Sequence, residues 1–135
     1  MSDILATMRA VLVADATVSG LVGTRLHALA LPERSALPAI TYYVVDTIPN
    51  ETLTGIAGIS RARIQVDSFA DTIGGAVALA DAVRLALQMK NHFINGTQYI
   101  NDISLASGEA HRFERPDLGT AIRRFIVSMD FLVNY

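Results

Sequence analysis

Four stretches of this chain have apolar patterns that predict β-strands, and in three of them apolar residues recur at alternate positions. The stretches are "AITYYVVD", "ISRARIQVD", "TQYINDISLAS" and "TAIRRFIVSMDFLVNY". The first is apolar on both parities, which is typical of a strand whose two faces are both covered. In the last and longest, one parity is entirely apolar over five positions and is expected in the core: Phe125, Val127, Met129, Phe131 and Val133.

Helical spacing of apolar residues predicts a first helix at the start of the chain. Ser2 is a suitable N-cap, and an apolar stripe follows at Ile4, Leu5, Met8, Val11 and Leu12. Asp15 is placed to cap a short second helical turn that ends near Gly20 or Gly23.

The main helix is predicted from near Phe69 to about Lys90. Ser68 and Asp71 have the spacing of a capping box, which sets the expected start. Four apolar residues centre the face that should be buried: Ala76, Leu79, Val83 and Ala86.

The remaining stretches are interpreted mainly as connections. Residues 47–58 form a long hairpin connection, residues 91–96 a turn, and residues 108–119 a charged loop bounded by glycines, with a short strand possible around residues 25–29. Strands with helices segregated to one side predict an α+β fold. We expect one domain, residues 1–135, built as a two-layer sandwich: a mainly antiparallel sheet of about four strands with two main helices packed on one face.

One strand carries a ladder of polar side chains at alternate positions. The ladder consists of Arg61, Arg63, Gln65 and Asp67, which should share the sheet face opposite the buried one. A second charged group lies in the 108–119 loop: Arg112, Glu114, Arg115 and Asp117. Its mixture of signs suits a protein contact better than phosphate binding. Water, nucleic acid or another protein could in principle face the ladder.

Composition narrows these options. The 135-residue chain has a net charge of −2, which argues against a protein whose main task is gripping nucleic acid. Hydrophobic residues make up 51%, an apolar composition that suggests some surface is hidden by association. Lys90 is the one lysine beside ten arginines, a bias explained either by arginine-rich interfaces or by genome composition.

No catalytic, cofactor-binding or metal-binding constellation is visible in the sequence. The chain lacks cysteine, and its three histidines, His27, His92 and His111, have no metal-ligand spacing. Phosphate-binding and nucleophile motifs are missing as well. We therefore expect no enzyme, no cofactor and no metal. Without a targeting or membrane segment, the protein is expected to be made in the cytoplasm and to have no membrane partner.

Several segments together resemble the tail-completion, or tail-terminator, proteins of long-tailed bacteriophages and phage-like gene-transfer particles. They are "ADATVSGLVGTRLHALALPE", "LPAITYYVV", "RARIQVDSFAD" running into "ALADAVRLAL", and the closing "RRFIVSMDFLVNY". The resemblance covers nearly the whole chain. It depends on pattern over length and contains no catalytic motif.

The resemblance implies a structural virion protein at the head–tail junction. Such proteins form a ring, a hexamer, that caps the head-proximal end of the tail tube, ends tube polymerisation and joins the tail to the head connector. DNA passes through the ring without specific binding, so we expect a neutral or acidic lumen whose arginines are paired with carboxylates. In this setting the ladder and the four charged residues of the 108–119 loop are candidate subunit-interface residues.

Two other functions are alternatives to this one. Another neck or head-closure ring component would have a similar design, and binding to filled heads instead of tail tubes would distinguish it. A small α+β ligand-binding domain would require a pocket with converging polar groups, which the sequence does not offer.

Overall fold

A computed structural model describes residues 4–32, 36–52, 55–88, 91–95, 98–106, 108–114 and 124–135. The elements run in the order α1 (Ile4–Ala14), α2 (Ala16–Val22), β1 (Leu26–Ala28), β2 (Ala39–Thr52), β3 (Gly55–Ala70), α3 (Ile73–Leu87), β4 (Asn91–Asn95), β5 (Gln98–Leu105), β6 (Ala110–Glu114) and β7 (Arg124–Asn134).

The strands form one mixed sheet with β3 and β7 at its centre. Its order is β1-β2-β3-β7-β5-β4, and β6 also pairs with β7. All pairs are antiparallel except β1 with β2. Arg61 lies opposite Asn134, and Ala70 lies opposite Phe125, so β3 and β7 pair over ten positions.

The core lies between one face of this sheet and the helices, which confirms the α+β fold. The alternating apolar residues of β7, from Val127 to Val133, are buried there with Ile64 and Val66 of β3. The stripe of α1 and the predicted face of α3 are buried against them. The strand number is higher than the predicted four, since β1, β4 and β6 join the sheet.

Two of the added strands lie where connections were predicted. The 91–96 turn contains β4, which pairs with β5, and the 108–119 loop contains β6, which pairs with β7. Strands β5 and β6 follow each other along the same edge of β7. Two extra residues enter between the pairs Leu105–Phe131 and Ala110–Ser128, so the two strands act as one strand interrupted by a bulge.

Strands β2 and β3 extend past the rest of the sheet as a two-stranded ribbon. Residues 49–52 and 55–60 pair with each other, while β1 ends opposite Tyr42 and β7 ends opposite Arg61. We call this ribbon the arm. The predicted 47–58 connection is thus largely paired strand. An isolated two-stranded ribbon is marginally stable in water, so the arm is a natural site for a contact with another protein.

The start of α3 differs from the prediction because β3 continues to Ala70. Thr72, with extended backbone, is the N-cap, and its hydroxyl accepts a hydrogen bond of 3.0 Å from the Gly75 amide. The predicted capping box of Ser68 and Asp71 is therefore wrong, since Ser68 lies within the strand. The predicted cap of α2 is confirmed: the Asp15 carboxylate accepts hydrogen bonds from the amides of Thr17 and Val18.

Replacing Thr72 by alanine is expected to lower the free energy of unfolding by about 1 kcal/mol, because the Gly75 amide loses its acceptor. The same change at the exposed neighbour Asp71 should leave stability within about 0.5 kcal/mol of wild type. Urea denaturation of the two variants measures both values. An equal loss in both would contradict the assignment of the cap.

Two arginines stabilise the connections around β1. The Arg9 guanidinium donates to the Leu26 carbonyl at 2.7 Å. Arg25 donates to the carbonyls of Pro38, at 2.8 Å, and Leu21, at 3.2 Å. A guanidinium has several donors in a fixed plane, which lets one side chain join two segments. These contacts account for part of the preference for arginine over lysine.

Within the described residues, no single helix is long and apolar enough to cross a membrane; α1 and α2 reach the required length only together, with a bend of 93° between them.

Candidate interaction face of the sheet

The ladder lies on the sheet face that points away from the helices, as predicted. Its residues alternate along β3 with Ala62, Ile64 and Val66, which are buried on the helix side. The register brings Tyr43 of β2 beside Gln65. We call this side of the sheet the open face.

Cross-strand contacts inside the chain use most of the ladder's polar groups. The Arg63 guanidinium contacts one carboxylate oxygen of Asp130 on β7, with N–O distances of 2.8 and 2.9 Å. Arg61 Nε donates to the side-chain oxygen of Asn134 at 3.3 Å. The ladder therefore joins β3 to β7 through side chains in addition to the backbone ladder.

The last residue of the ladder, Asp67, has a buried carboxylate. Asp67 is 4% exposed, and its Oδ1 accepts a hydrogen bond of 2.9 Å from the Gln65 amide. Its Oδ2 lies 3.5 Å from an Arg112 nitrogen, which reaches across β7 from β6. Amide and guanidinium together compensate a charge that would be costly to bury alone.

The four candidate residues of the 108–119 loop differ in where they lie. Arg112 lies on β6 and joins the ladder through Asp67. Glu114 ends β6 opposite Arg124 in the register, and its side chain is not among those described. Arg115 and Asp117 lie outside the described residues.

A groove of about 420 Å³ opens on this face beside Asp67. Its lining is contributed by the segment after β1, by three strands of the sheet and by β6: Leu29, Ala30, Leu31, Thr41, Tyr43, Asp67, Phe69, Arg112 and Arg124. Asp67 is the one acidic side chain among the described residues that line it. No group of three or more potential metal ligands occurs among the described residues. The described lining therefore offers shape and arginine contacts, without a constellation for acid–base or metal chemistry.

The partners of the ladder were missed at the sequence level. Asp130 and Asn134 alternate with the apolar residues Phe131 and Val133 along the last strand, which places them on the open face. What the sequence lacked was the register that brings them to Arg63 and Arg61. Alternation on two strands assigns faces but does not determine which residues are opposite each other.

Tyr43 is a titratable side chain of the open face whose pKa is changed by its surroundings. Burial raises the pKa of its phenol, and the carboxylates of Asp67 and Asp130 raise it further, while Arg112 and Gln65 act in the opposite direction. Above pH 10 the unfolded chain then releases this proton before the folded chain does, so stability falls as pH increases.

The variant Tyr43→Phe is expected to lose less stability than wild type between neutral pH and about pH 11, because its site no longer binds a proton that unfolding releases. Urea midpoints at matched pH values measure the difference. Leu85→Ala, at an exposed position of α3 that carries no titratable group, is the control, and its pH profile should be parallel to that of wild type. Parallel pH profiles for Tyr43→Phe and wild type would contradict the raised pKa.

Comparison with known proteins agrees with the non-catalytic character of this face. The family model described as tail completion protein gp17 matches residues 6–130. Twenty-eight chains of solved structures match. One, from the structure titled "Virion of native gene transfer agent (GTA) particle", is 19% identical with a TM-score of 0.69, and the match covers 94% of this chain and 90% of that chain. Curated proteins give no match.

The structural match establishes the fold, and the family match spans nearly the whole chain. Both confirm the resemblance found in the sequence. This chain belongs to the tail completion protein gp17 family and is a structural protein of the phage tail, not an enzyme.

Proposed function

We propose that this protein is a tail terminator. Copies of the chain form a ring, a hexamer, that caps the head-proximal end of the tail tube and ends tube polymerisation. The ring then joins the tail to the head connector, and DNA passes through its centre. The observation that carries this proposal is the family match over residues 6–130, supported by the fold shared with a chain of a gene transfer agent virion.

The charge arrangement fits a conduit that must not hold DNA. A protein that neutralises many phosphates binds DNA strongly, and a ring multiplies every exposed arginine by the number of subunits. Arg63, Arg84 and Arg112 each lie within 4 Å of a carboxylate of the same chain. A surface of such pairs is nearly neutral, whichever part of it faces the lumen.

The candidate interface residues are kept as part of this proposal: Arg61, Arg63, Gln65 and Asp67 of the ladder, with Arg112, Glu114, Arg115 and Asp117. Because Arg63 and Arg112 already have carboxylate partners, they would meet a neighbouring subunit as neutral pairs that donate hydrogen bonds. Such pairs contribute specificity more than affinity. The arm and residues 106–119 are the segments we assign to contacts with neighbouring subunits or with the rings above and below.

The test is the mass of the protein in solution, with and without purified tail tubes, followed by electron microscopy of the tube ends. We expect rings at one end of each tube and an arrest of tube growth when the protein is added. A monomer that forms rings only on tubes also agrees with the proposal. A protein that stays monomeric and never binds tubes would refute it.

Filled heads lacking tails provide the comparison for the alternative function. A terminator should bind tube ends in the absence of heads. Binding to filled heads, with no effect on tube length, would instead identify a head-closure component of the neck.

A further inference from the structure

Among the strand edges that are unpaired in the described part of the chain, two lie at opposite sides of the sheet and flank its central strands. The first is the outer edge of β2 from Tyr43 to Thr47, since β1 pairs with β2 only as far as Tyr42. The second is the outer edge of β6, Ala110–Glu114, since β6 pairs with β7 alone. Each edge is five residues long and presents backbone donors and acceptors that favour strand addition.

Exposed apolar side chains gather at these two edges. At the β2 edge, Leu29 is 73% exposed and Val45 is 48% exposed, and at the β6 edge Phe113 is 51% exposed. Exposed Asp46 follows Val45, and exposed His111 and Arg112 precede Phe113. His111 and Arg112 each lie within 4 Å of a carboxylate of the same chain, so the described β6 edge has no uncompensated positive charge to repel a second copy.

From this arrangement we infer that the β6 edge of one copy adds to the β2 edge of a second copy, which continues the sheet from subunit to subunit. The inference rests on the proposed ring and names its subunit contact. Three antiparallel pairings separate β2 from β6, so the two strands run in opposite directions within one chain. When neighbouring subunits have the same orientation, the new pair is antiparallel, which is the more stable ladder.

The geometry also suits closure of a ring. In the register, Arg112 lies opposite Ile126, Ile126 opposite Phe69, and Phe69 opposite Ala39. The middle of the β6 edge is therefore level with Ala39. Along the strand direction it lies about six residues, or roughly 20 Å, from the middle of the β2 edge. The β2 strands of neighbouring subunits would be four strand spacings apart, which is roughly 19 Å across the sheet. Together with the displacement along the strands, this implies a strand tilt of roughly 45°, near that of closed sheets. A contact between two different edges is heterologous, as a ring requires.

The contact would also give the arm a partner. The arm continues β2 beyond Thr47, and in the neighbour β5 continues the line of β6 beyond the bulge. The ribbon that is marginal in the free chain then gains backbone hydrogen bonds along its outer strand. Assembly would order the arm and extend the sheet in one step.

Lysine substitutions at the edges test the inference in the full chain. Val45→Lys and Phe113→Lys should each reduce the fraction of protein in rings by at least about tenfold, because burying an unpaired ammonium in the new contact is costly. Leu85→Lys, at a position 78% exposed on α3, is the control and should assemble as wild type does. Circular dichroism and thermal unfolding show whether each variant is folded, and Val45→Lys tests the inference even if Phe113→Lys loses stability.

Cross-linking gives a second, independent readout, since the chain has no cysteine. Val45 and Ala110 are exposed residues of the two edges and both lie on the open face. In one molecule they lie more than about 15 Å apart by strand spacing, so a short bis-maleimide cannot join them within a subunit. The Val45→Cys, Ala110→Cys double variant should give a ladder of covalent oligomers on tubes, and each single variant should give no ladder. Rings of wild type and of both lysine variants, with no covalent ladder, would overturn the edge contact and leave the terminator function intact. A wild type that never self-associates would overturn both.

Discussion

Phe131→Ala is expected to lower the free energy of unfolding by about 3–5 kcal/mol. Phe131 is fully buried at the centre of β7, level with Ile64 on β3 and Leu105 on β5. It is among the largest side chains that the fold buries completely. Truncation removes its transfer free energy and leaves a cavity between the sheet and the helices, and a rigid sheet with a neighbour on each side closes such a cavity poorly.

Urea denaturation followed by circular dichroism measures this loss, at a concentration where the protein is monomeric. Phe113→Ala is the matched control, because it makes the same chemical change at a half-exposed edge position that packs on Phe125 alone among described rings, at a centroid distance of 5.0 Å. It should cost about 1 kcal/mol. If the two variants lost similar amounts, the central position of β7 in the core would be wrong.

The same strand shows how much of the fold the sequence could predict. Five apolar residues at strict alternation define one buried face of β7 without knowledge of its neighbours, and the stripe of α1 does the same for a helix. Strand β6 gives no such signal. "AHRFE" is polar, exposed and close to a glycine, and it becomes a strand because the backbone groups of β7 need a partner. Tertiary pairing, which no local pattern contains, decides its conformation.

The candidate site was likewise predicted only as far as local patterns reach. The ladder's face was predicted correctly because period-two alternation assigns faces. Its partners Asp130 and Asn134 were not predicted, because a shift of two residues in the register leaves every side chain on its face and changes which residues lie opposite each other. The predicted start of α3 is wrong for a different reason. The spacing of Ser68 and Asp71 satisfies a capping box, but pairing with β2 and β7 holds Ser68 in the sheet.

Reversing the charge of Arg63 is the second large change that we expect to measure. In Arg63→Asp, a carboxylate replaces the guanidinium that lies 2.8 Å from Asp130. The Arg63 side chain is 41% exposed and that of Asp130 is 18% exposed, so solvent screens much of the interaction. Loss of the pair and repulsion between two acids should together lower the free energy of unfolding by about 1–2 kcal/mol. Ring formation should decrease with it.

The double reversal Arg63→Asp, Asp130→Arg separates the two possible roles of the ladder. If the pair joins β3 to β7 and meets the neighbour as a neutral unit, the double variant should recover most of the lost stability and most of the ring formation. Coupling between the sites is read from the four free energies of the mutant cycle. A double variant that is as stable as wild type and yet forms no rings would show that a neighbouring subunit reads the sign of each charge. In that case the carboxylate partner of Arg63 in the assembly belongs to the next copy, and the pair with Asp130 exists only in the free chain.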